Sequence, residues 1–391
     1  MNLPLSKSVL SNHLSIYVHI PWCVHKCPYC DFNSHSLKNK SINEFEEIYT
    51  QAVIDQVSNS AIRKNKIIPS IFFGGGTPSL FSPNSIEKIL LNISDKYTLE
   101  KDCEITLEAN PGTIDQSYFK GYKKVGINRV SLGIQSFNDI HLKSLERIHD
   151  RNQALSAALQ AREIFDNINL DLMYALPDQT ISELDKDVDQ ALSIDPEHVS
   201  YYHLTIEPNT MFHKFPPNQP SDDVSADMGD LIAHKLENFN YQHYETSAYA
   251  KPNKECRHNL NYWKFGDYLG IGAGAHSKIT LNNEEQYRFI CFMNPSQYMN
   301  GAKDNNFFIE SKKINDNEVA FEFMMNALRL NQGFTKKLFE EKTKLNIEKI
   351  RNELSEAKDK RFIIETDDMI KPTQLGRNFL NELLQIFMRD D

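Results

Sequence analysis

Residues 16–32 read IYVHIPWCVHKCPYCDF. A strand pattern over 16–20 runs into three cysteines spaced C-x3-C-x2-C: Cys23, Cys27 and Cys30. Tyr17 and His19 fall on one side of that strand, and Ile16, Val18 and Ile20 on the other. Thiols this dense read as metal ligands, yet they are one short of the four that zinc and iron–sulfur sites usually take. From the residues alone, three readings stay open. His19, His25 or His35 completes a Cys3His zinc site. Cys27 and Cys30 form a redox C-x2-C, which leaves Cys23 without a role. Or the thiolates hold an iron–sulfur cluster whose open iron takes a ligand by its own amine and carboxylate.

Working outward, five more strand patterns cover 70–73, 104–109, 129–134, 167–173 and 198–206, with helical periodicity between them. Ser41 with Glu44, Thr113 with Gln116, and Thr180 with Glu183 frame three of the helices as capping boxes. Strand–helix alternation predicts parallel strands, so the fold class is α/β, a partial (β/α)6 barrel. Several strands alternate in polarity. Glu104, Thr106, Glu108 and Asn110 share a face; so do Arg129, Ser131, Gly133 and Gln135; so do Asn169 and Asp171. Helices must cover the apolar faces, which turns the polar ones inward. Burying so many polar groups unpaired is costly, and a large polar ligand inside the barrel resolves the cost. An antiparallel sheet with one wet face is the alternative.

The barrel is expected over 1–245 and a connecting segment over 246–310. A small winged-helix-like α+β domain is expected over 311–391, built from three helices, a hairpin and a closing helix. A charge of −10 argues against an electrostatic grip on nucleic acid, so that domain is read as a packing or lid element. No apolar run reaches a membrane span, and residues 1–15 hold no continuous apolar leader. A chain this size does not need its six cysteines as disulfide staples. A cytoplasmic location is expected.

With an aromatic, Tyr29, before the last cysteine, the C-x3-C-x2-C after a first barrel strand resembles the radical S-adenosylmethionine (SAM) superfamily. That resemblance implies a [4Fe–4S] cluster on Cys23, Cys27 and Cys30, with SAM on the fourth iron. IFFGGGTPSL, from Ile71, lacks the Lys-Ser/Thr of a phosphate loop and on its own reads as a tight turn. By the resemblance Gly75, Gly76 and Thr77 receive the amino-acid end of SAM. Similarity to the oxygen-independent coproporphyrinogen oxidase-like family adds Tyr17, Tyr29, Glu108, Gln135, Arg147 and Asp171 as SAM contacts. Without it, Arg147 reads as a surface helix charge.

Two stretches remain. YLGIGAGAHSK, from Tyr268, has dinucleotide-like glycine spacing but follows no βαβ unit and opens no helix, so it is read as a decoy. HNLNYW, His258 to Trp263, offers ligand and stacking groups for a flat macrocycle, or simply a structural His and a buried Trp. A heme-chaperone branch of the family associates H-N-x-x-Y-W with heme, which puts His258, Tyr262 and Trp263 at a heme site. The resemblance to that branch runs nearly the whole chain and loosens at YRFICF, from Tyr287. It implies heme and a heme-acceptor protein as partners, with transient contact at membrane-associated heme proteins. The alternative is an oxidase that decarboxylates porphyrinogen propionates. That branch carries C-x3-C-x2-C-x-C and a longer N-terminal segment; here Phe32 stands at the last cysteine, which favours the chaperone.

Overall fold

The computed structural model describes residues 11–38, 40–62, 65–281 and 284–388. The stretch 1–10, part of the segment read as lacking a leader, lies outside them. Among the described residues twelve strands share one sheet. They are β1 (Ser15–Ile20), β2 (Ile67–Gly75), β3 (Thr98–Ala109), β4 (Arg129–Gln135), β5 (Ile168–Tyr174), β6 (His198–His203), β7 (Gln242–Glu245), β8 (Ala248–Ala250), β9 (Tyr268–Ile271), β10 (His276–Thr280), β11 (Gln286–Cys291) and β12 (Phe308–Lys313). Their spatial order is β12-β11-β10-β9-β1-β2-β3-β4-β5-β6-β8-β7. Every pairing from β9 through β6 is parallel. The wet antiparallel alternative falls, and the C-terminal ends of β1–β6 share one rim.

The alternating strands explain the layering. Val18, Phe73, Leu107, Val130, Leu132, Leu170 and Leu172 are fully buried in the main core. Helix Ile181–Ile194 adds Leu184, Val188 and Ala191 to that core. Each such Leu or Val contributes roughly 1.5–3 kcal/mol. The polar faces turn inward: Thr106, Arg129, Ser131 and Asn169 are buried too.

The expected caps fare unequally. Thr180 and Glu183 close a full capping box. Helix Gln116–Lys124 starts instead from Asp115, whose carboxylate accepts the Ser117 and Tyr118 N–H groups; Thr113 belongs to a separate turn begun by Pro111. At Ser41 the box is half made: Glu44 takes the Ser41 N–H, but the Ser41 hydroxyl reaches only Asn43.

The stretch 246–310 is more than a connection. Its β9 adds a seventh parallel strand beside β1, and β10 and β11 extend the sheet antiparallel. Gly270 lies inside β9, where a Cβ would sit 2.0 Å from the His276 carbonyl oxygen, so the glycines serve close backbone approach. The C-terminal residues pack a second core around Phe323, Phe339, Leu354 and Ile370. Beside it, β13 (Phe334–Thr335), β14 (Ile363–Glu365) and β15 (Met369–Pro372) form a small antiparallel sheet, as a winged-helix-like domain requires. Arg288 on β11 ties it to the barrel through Glu322 at 2.6 Å.

Candidate functional site

A cavity of about 370 Å³ opens at the C-terminal rim of the barrel. It is lined by Cys23, Cys27, Cys30, Tyr29, Gly75, Gly76, Thr77, Glu108, Gln135, Arg147 and Asp171. These residues come from the loop after β1, from the ends of β2, β3 and β4 or the turns and helix that follow them, and, for Asp171, from the middle of β5. Tyr17, His258 and Tyr262 are elsewhere. They line a lower cavity of about 160 Å³, which shares Glu108, Ser131, Asp171 and Tyr202 with the upper one. Trp263 lines neither cavity. Its ring lies 4.4 Å under the Arg329 guanidinium, and its Nε1 is buried without a hydrogen-bond partner.

The cysteine loop is held mainly through its backbone carbonyls and N–H groups, while the sulfurs make long contacts to Arg147 and Ser34. Lys26 donates to the Phe32 and Ser34 carbonyls at 3.0 and 3.2 Å. Gly76 N–H donates to Ile20 O and Thr77 N–H to Trp22 O, both at 2.8 Å, so the glycine loop is laced to the run entering Cys23. Arg147 is no surface charge: it donates to Cys27 Sγ at 3.5 Å and to Gly133 O at 2.9 Å. Burial pushes the Cys23 and Cys30 thiols up; hydroxyls of Thr77 and Ser34 pull Cys23 the other way. Binding to iron would deprotonate both.

The donors fit a cluster better than one ion. Among the described residues no group of three or more His, Cys, Asp or Glu side chains converges tightly enough for a single metal ion. A four-iron cubane offers separate corners, so its thiolates stand apart. Of the histidines named for the zinc alternative, His19 is excluded because both its nitrogens are engaged, by the Tyr17 hydroxyl and the Asn33 carbonyl at 2.9 Å. His25 meets Glu146 at 3.0 Å, and His35 keeps a buried Nε2 without a hydrogen-bond partner among the described residues. The upper cavity lies within the usual 300–1,000 Å³ range for a small-molecule site.

Polar groups below the cluster loop set the electrostatics. Glu108 accepts the Gly75 N–H at 3.2 Å. Burial, then the neighbouring Asp171, push its carboxyl up to about 8. Asp171 is also raised by burial, against hydrogen bonds from Ser131 at 2.6 Å and Asn169 at 2.8 Å. The folded state thus holds the Glu108 proton above its ordinary value of 4.5. The stability this gives is complete below that value and is lost as pH rises through about 8. Glu108→Gln should therefore raise the melting temperature of the cluster-free protein above pH 8, by an amount that shrinks toward pH 5. Equal pH–melting curves for the two proteins would disprove the assignment.

Asn33 escaped the sequence reading. Its amide donates at 3.0 Å to both Ala273 O and Met293 O, clamping the cysteine loop to the strands after β9. Gly274, at φ +80°, leaves room for it: a Cβ there would fall 2.1 Å from Asn33 Nδ2. The signal was the GAG stretch dismissed as a decoy. Its glycines serve close packing: they let the barrel close against the cluster loop.

Comparison with known proteins agrees with this geometry. Residues 17–191 match the radical SAM superfamily model, and residues 314–379 match the HemN C-terminal domain. The chain is 46% identical to the heme chaperone HemW of Haemophilus influenzae, over 97% of this chain and 98% of that one. It is 42% identical to the Escherichia coli heme chaperone HemW, over 96% and 98%. The Bacillus subtilis heme chaperone HemW is 31% identical over 96% and 99%. In fold it is similar to the E. coli coproporphyrinogen III oxidase HemN, a radical SAM enzyme, with a TM-score of 0.80 at 20% identity over 96% of this chain and 89% of that one. With its cysteine loop on the rim of a parallel barrel, the chain belongs to the HemW family of the radical SAM superfamily.

Proposed function

We propose that this protein is a cytoplasmic heme chaperone, which binds heme and passes it to acceptor proteins. Cys23, Cys27 and Cys30 hold a [4Fe–4S] cluster, and the upper cavity takes SAM against the 75–77 loop, Tyr29, Glu108, Gln135, Arg147 and Asp171. When bound, the cluster can supply the electron that cleaves the SAM sulfonium. The observation that carries the chaperone reading over the oxidase is Phe32. It stands 61% exposed on the cavity wall, where the oxidase pattern has a further cysteine. Full-length identity of 41–46% to proteins named heme chaperones supports the same reading. Among the described residues no helix is long and apolar enough to cross a membrane, so contact with membrane-associated acceptors would be peripheral.

The decisive assay is anaerobic incubation with SAM, reductant and coproporphyrinogen III, with heme titrated in parallel. The expected outcome is heme binding with no protoporphyrinogen; protoporphyrinogen formation overturns the reading.

The position of His258 constrains how heme is held. The imidazole is 1% exposed on the barrel floor, with Nδ1 3.1 Å from Ser70 Oγ and Nε2 3.0 Å from the Tyr262 hydroxyl. Burial, with Arg129 nearby, lowers its pKa to about 3, so the ring is neutral. Neutral imidazole suits iron, but both nitrogens are engaged. Contact of His258 with heme therefore requires helix Arg257–Trp263 to leave the floor. Heme should speed amide hydrogen exchange in 257–263, and His258→Ala should weaken heme binding by about tenfold or more. A Soret titration of that variant that overlays the wild type removes His258 from the heme site.

A further inference from the structure

Gln135 ends β4 in an uncommon backbone state. Its φ is +68°, in the left-handed region that a non-glycine residue enters at a cost. The pairing with β5 also slips between Gly133 and Gln135. The slip and the left-handed turn together bring the Gln135 side chain to the upper cavity, where it lines the wall. Strain of this kind persists only where the surroundings over-determine it.

The surrounding structure supplies one buried carboxylate. Asp187, on helix Ile181–Ile194, is 4% exposed. Its two oxygens are spent on the two residues after Gln135: Ser136 Oγ donates to Oδ2, and the Phe137 N–H donates to Oδ1 at 3.0 Å. Among the described residues the hydrogen bonds and salt bridges give it no other hydrogen-bond partner and no ion pair. Ser136 Oγ in turn accepts the Asn138 N–H at 3.0 Å, and Asn138 caps helix Asp139–Ser144, whose following turn presents Arg147. His141 lies near enough to favour the carboxylate but makes no hydrogen bond to it, and a buried carboxylate is expensive unless its acceptors are filled. Here the groups that fill them belong to one turn, and that turn leads to two cavity residues.

We infer that Asp187 is a positioning residue for the SAM site: by bonding Ser136 and Phe137 it holds the 135–138 turn in the left-handed form that presents Gln135, and through Asn138 sets the approach of Arg147. It touches no cofactor itself. The inference rests on the upper cavity being the SAM site.

The test measures SAM affinity of the cluster-loaded protein by anaerobic equilibrium dialysis, with iron content, heme titration and melting temperature read on the same samples. Asp187→Leu should weaken SAM by about tenfold or more, with iron per chain and heme affinity unchanged. Asp187→Asn should rescue most of that affinity, since its amide oxygen still accepts the Phe137 N–H and its amide nitrogen can donate to Ser136. If the leucine variant does not fold, Ser136→Ala carries the same test with a smaller loss. Gln135→Ala is the control. Weaker SAM binding for Gln135→Ala but wild-type affinity for Asp187→Leu overturns the positioning role alone. Wild-type affinity for both overturns the Gln135 assignment as well. Equal loss of iron and SAM in the leucine and asparagine variants means a general packing role and also overturns it.

Discussion

Replacing Cys23, Cys27 and Cys30 with alanine should abolish the iron–sulfur absorption of the reconstituted protein while the barrel stays folded. Both halves follow from the geometry. The sulfurs line the upper cavity as free, partly exposed thiols and carry little of the fold. What shapes their loop lies around them: Lys26 on the Phe32 and Ser34 carbonyls, Asn33 on Ala273 and Met293, and His19 on the Asn33 carbonyl. None of these bonds uses a thiol. Three partly exposed Cys→Ala changes away from the core should cost about 1 kcal/mol each or less, so the melting temperature of the cluster-free variant should stay near that of the cluster-free wild type. The single Cys27→Ala variant is informative in its own right. It removes the sulfur that Arg147 approaches at 3.5 Å but leaves the Arg147 bond to Gly133 O. It should therefore lose the cluster without unfolding the rim. Persistence of the absorption in the triple variant would exclude these thiols as the ligands.

How much of this was legible in the sequence depends on how local each signal is. The six core strands were readable because strand patterns alternate with helical periodicity, and in several of them polar and apolar residues alternate; β1–β6 form where those patterns stand. The cysteine loop was legible as a ligand motif, but the roles of its thiols and of the 75–77 loop, Glu108, Gln135, Arg147 and Asp171 came from the family resemblance; the structure brings all of them to the upper cavity. What failed depends on distant chain. β9 is only four residues long and glycine-interrupted, and it becomes a strand by pairing with β1, more than 240 residues earlier. No local pattern records that pairing. His258 shows the same limit. H-N-x-x-Y-W names groups able to hold heme, but not that the helix turns His258 into the barrel floor against Ser70 and Tyr262 while Trp263 packs under Arg329. Tyr17, expected among SAM contacts, lines the lower cavity, which shares Glu108 and Asp171 with the upper one, a placement that its local motif does not record. Asp187 was invisible because its helical position reads as a polar face, while the fold buries it beneath the β4 turn.

The glycine loop gives the other large effect, and its two inner glycines fail for different reasons. Gly75 sits at φ +114°, and a Cβ there would fall 2.5 Å from the His19 ring. Alanine would carry both the strained backbone, about 1–3 kcal/mol, and a clash with a ring already fixed by Tyr17 and Asn33. Gly76 has ordinary φ, but its Cβ would lie 2.6 Å from the Trp22 carbonyl oxygen and 2.9 Å from the Pro21 carbonyl carbon. Those atoms are backbone and cannot rotate away, so the 20–22 run that leads into Cys23 must shift. Gly76→Ala should thus cost about 1–3 kcal/mol, the usual range for overpacking, and should weaken SAM binding and cluster retention together. Gly126 supplies the internal standard: it has φ +108° and nothing within 4 Å of its Cβ position. Gly126→Ala therefore reports the backbone cost alone. Gly75→Ala should exceed it in denaturant melts by the His19 clash, and Gly126→Ala should leave iron and SAM binding at wild-type levels. If Gly75→Ala and Gly76→Ala both keep wild-type SAM affinity, the cofactor does not approach the backbone of this loop, and the 75–77 assignment is wrong.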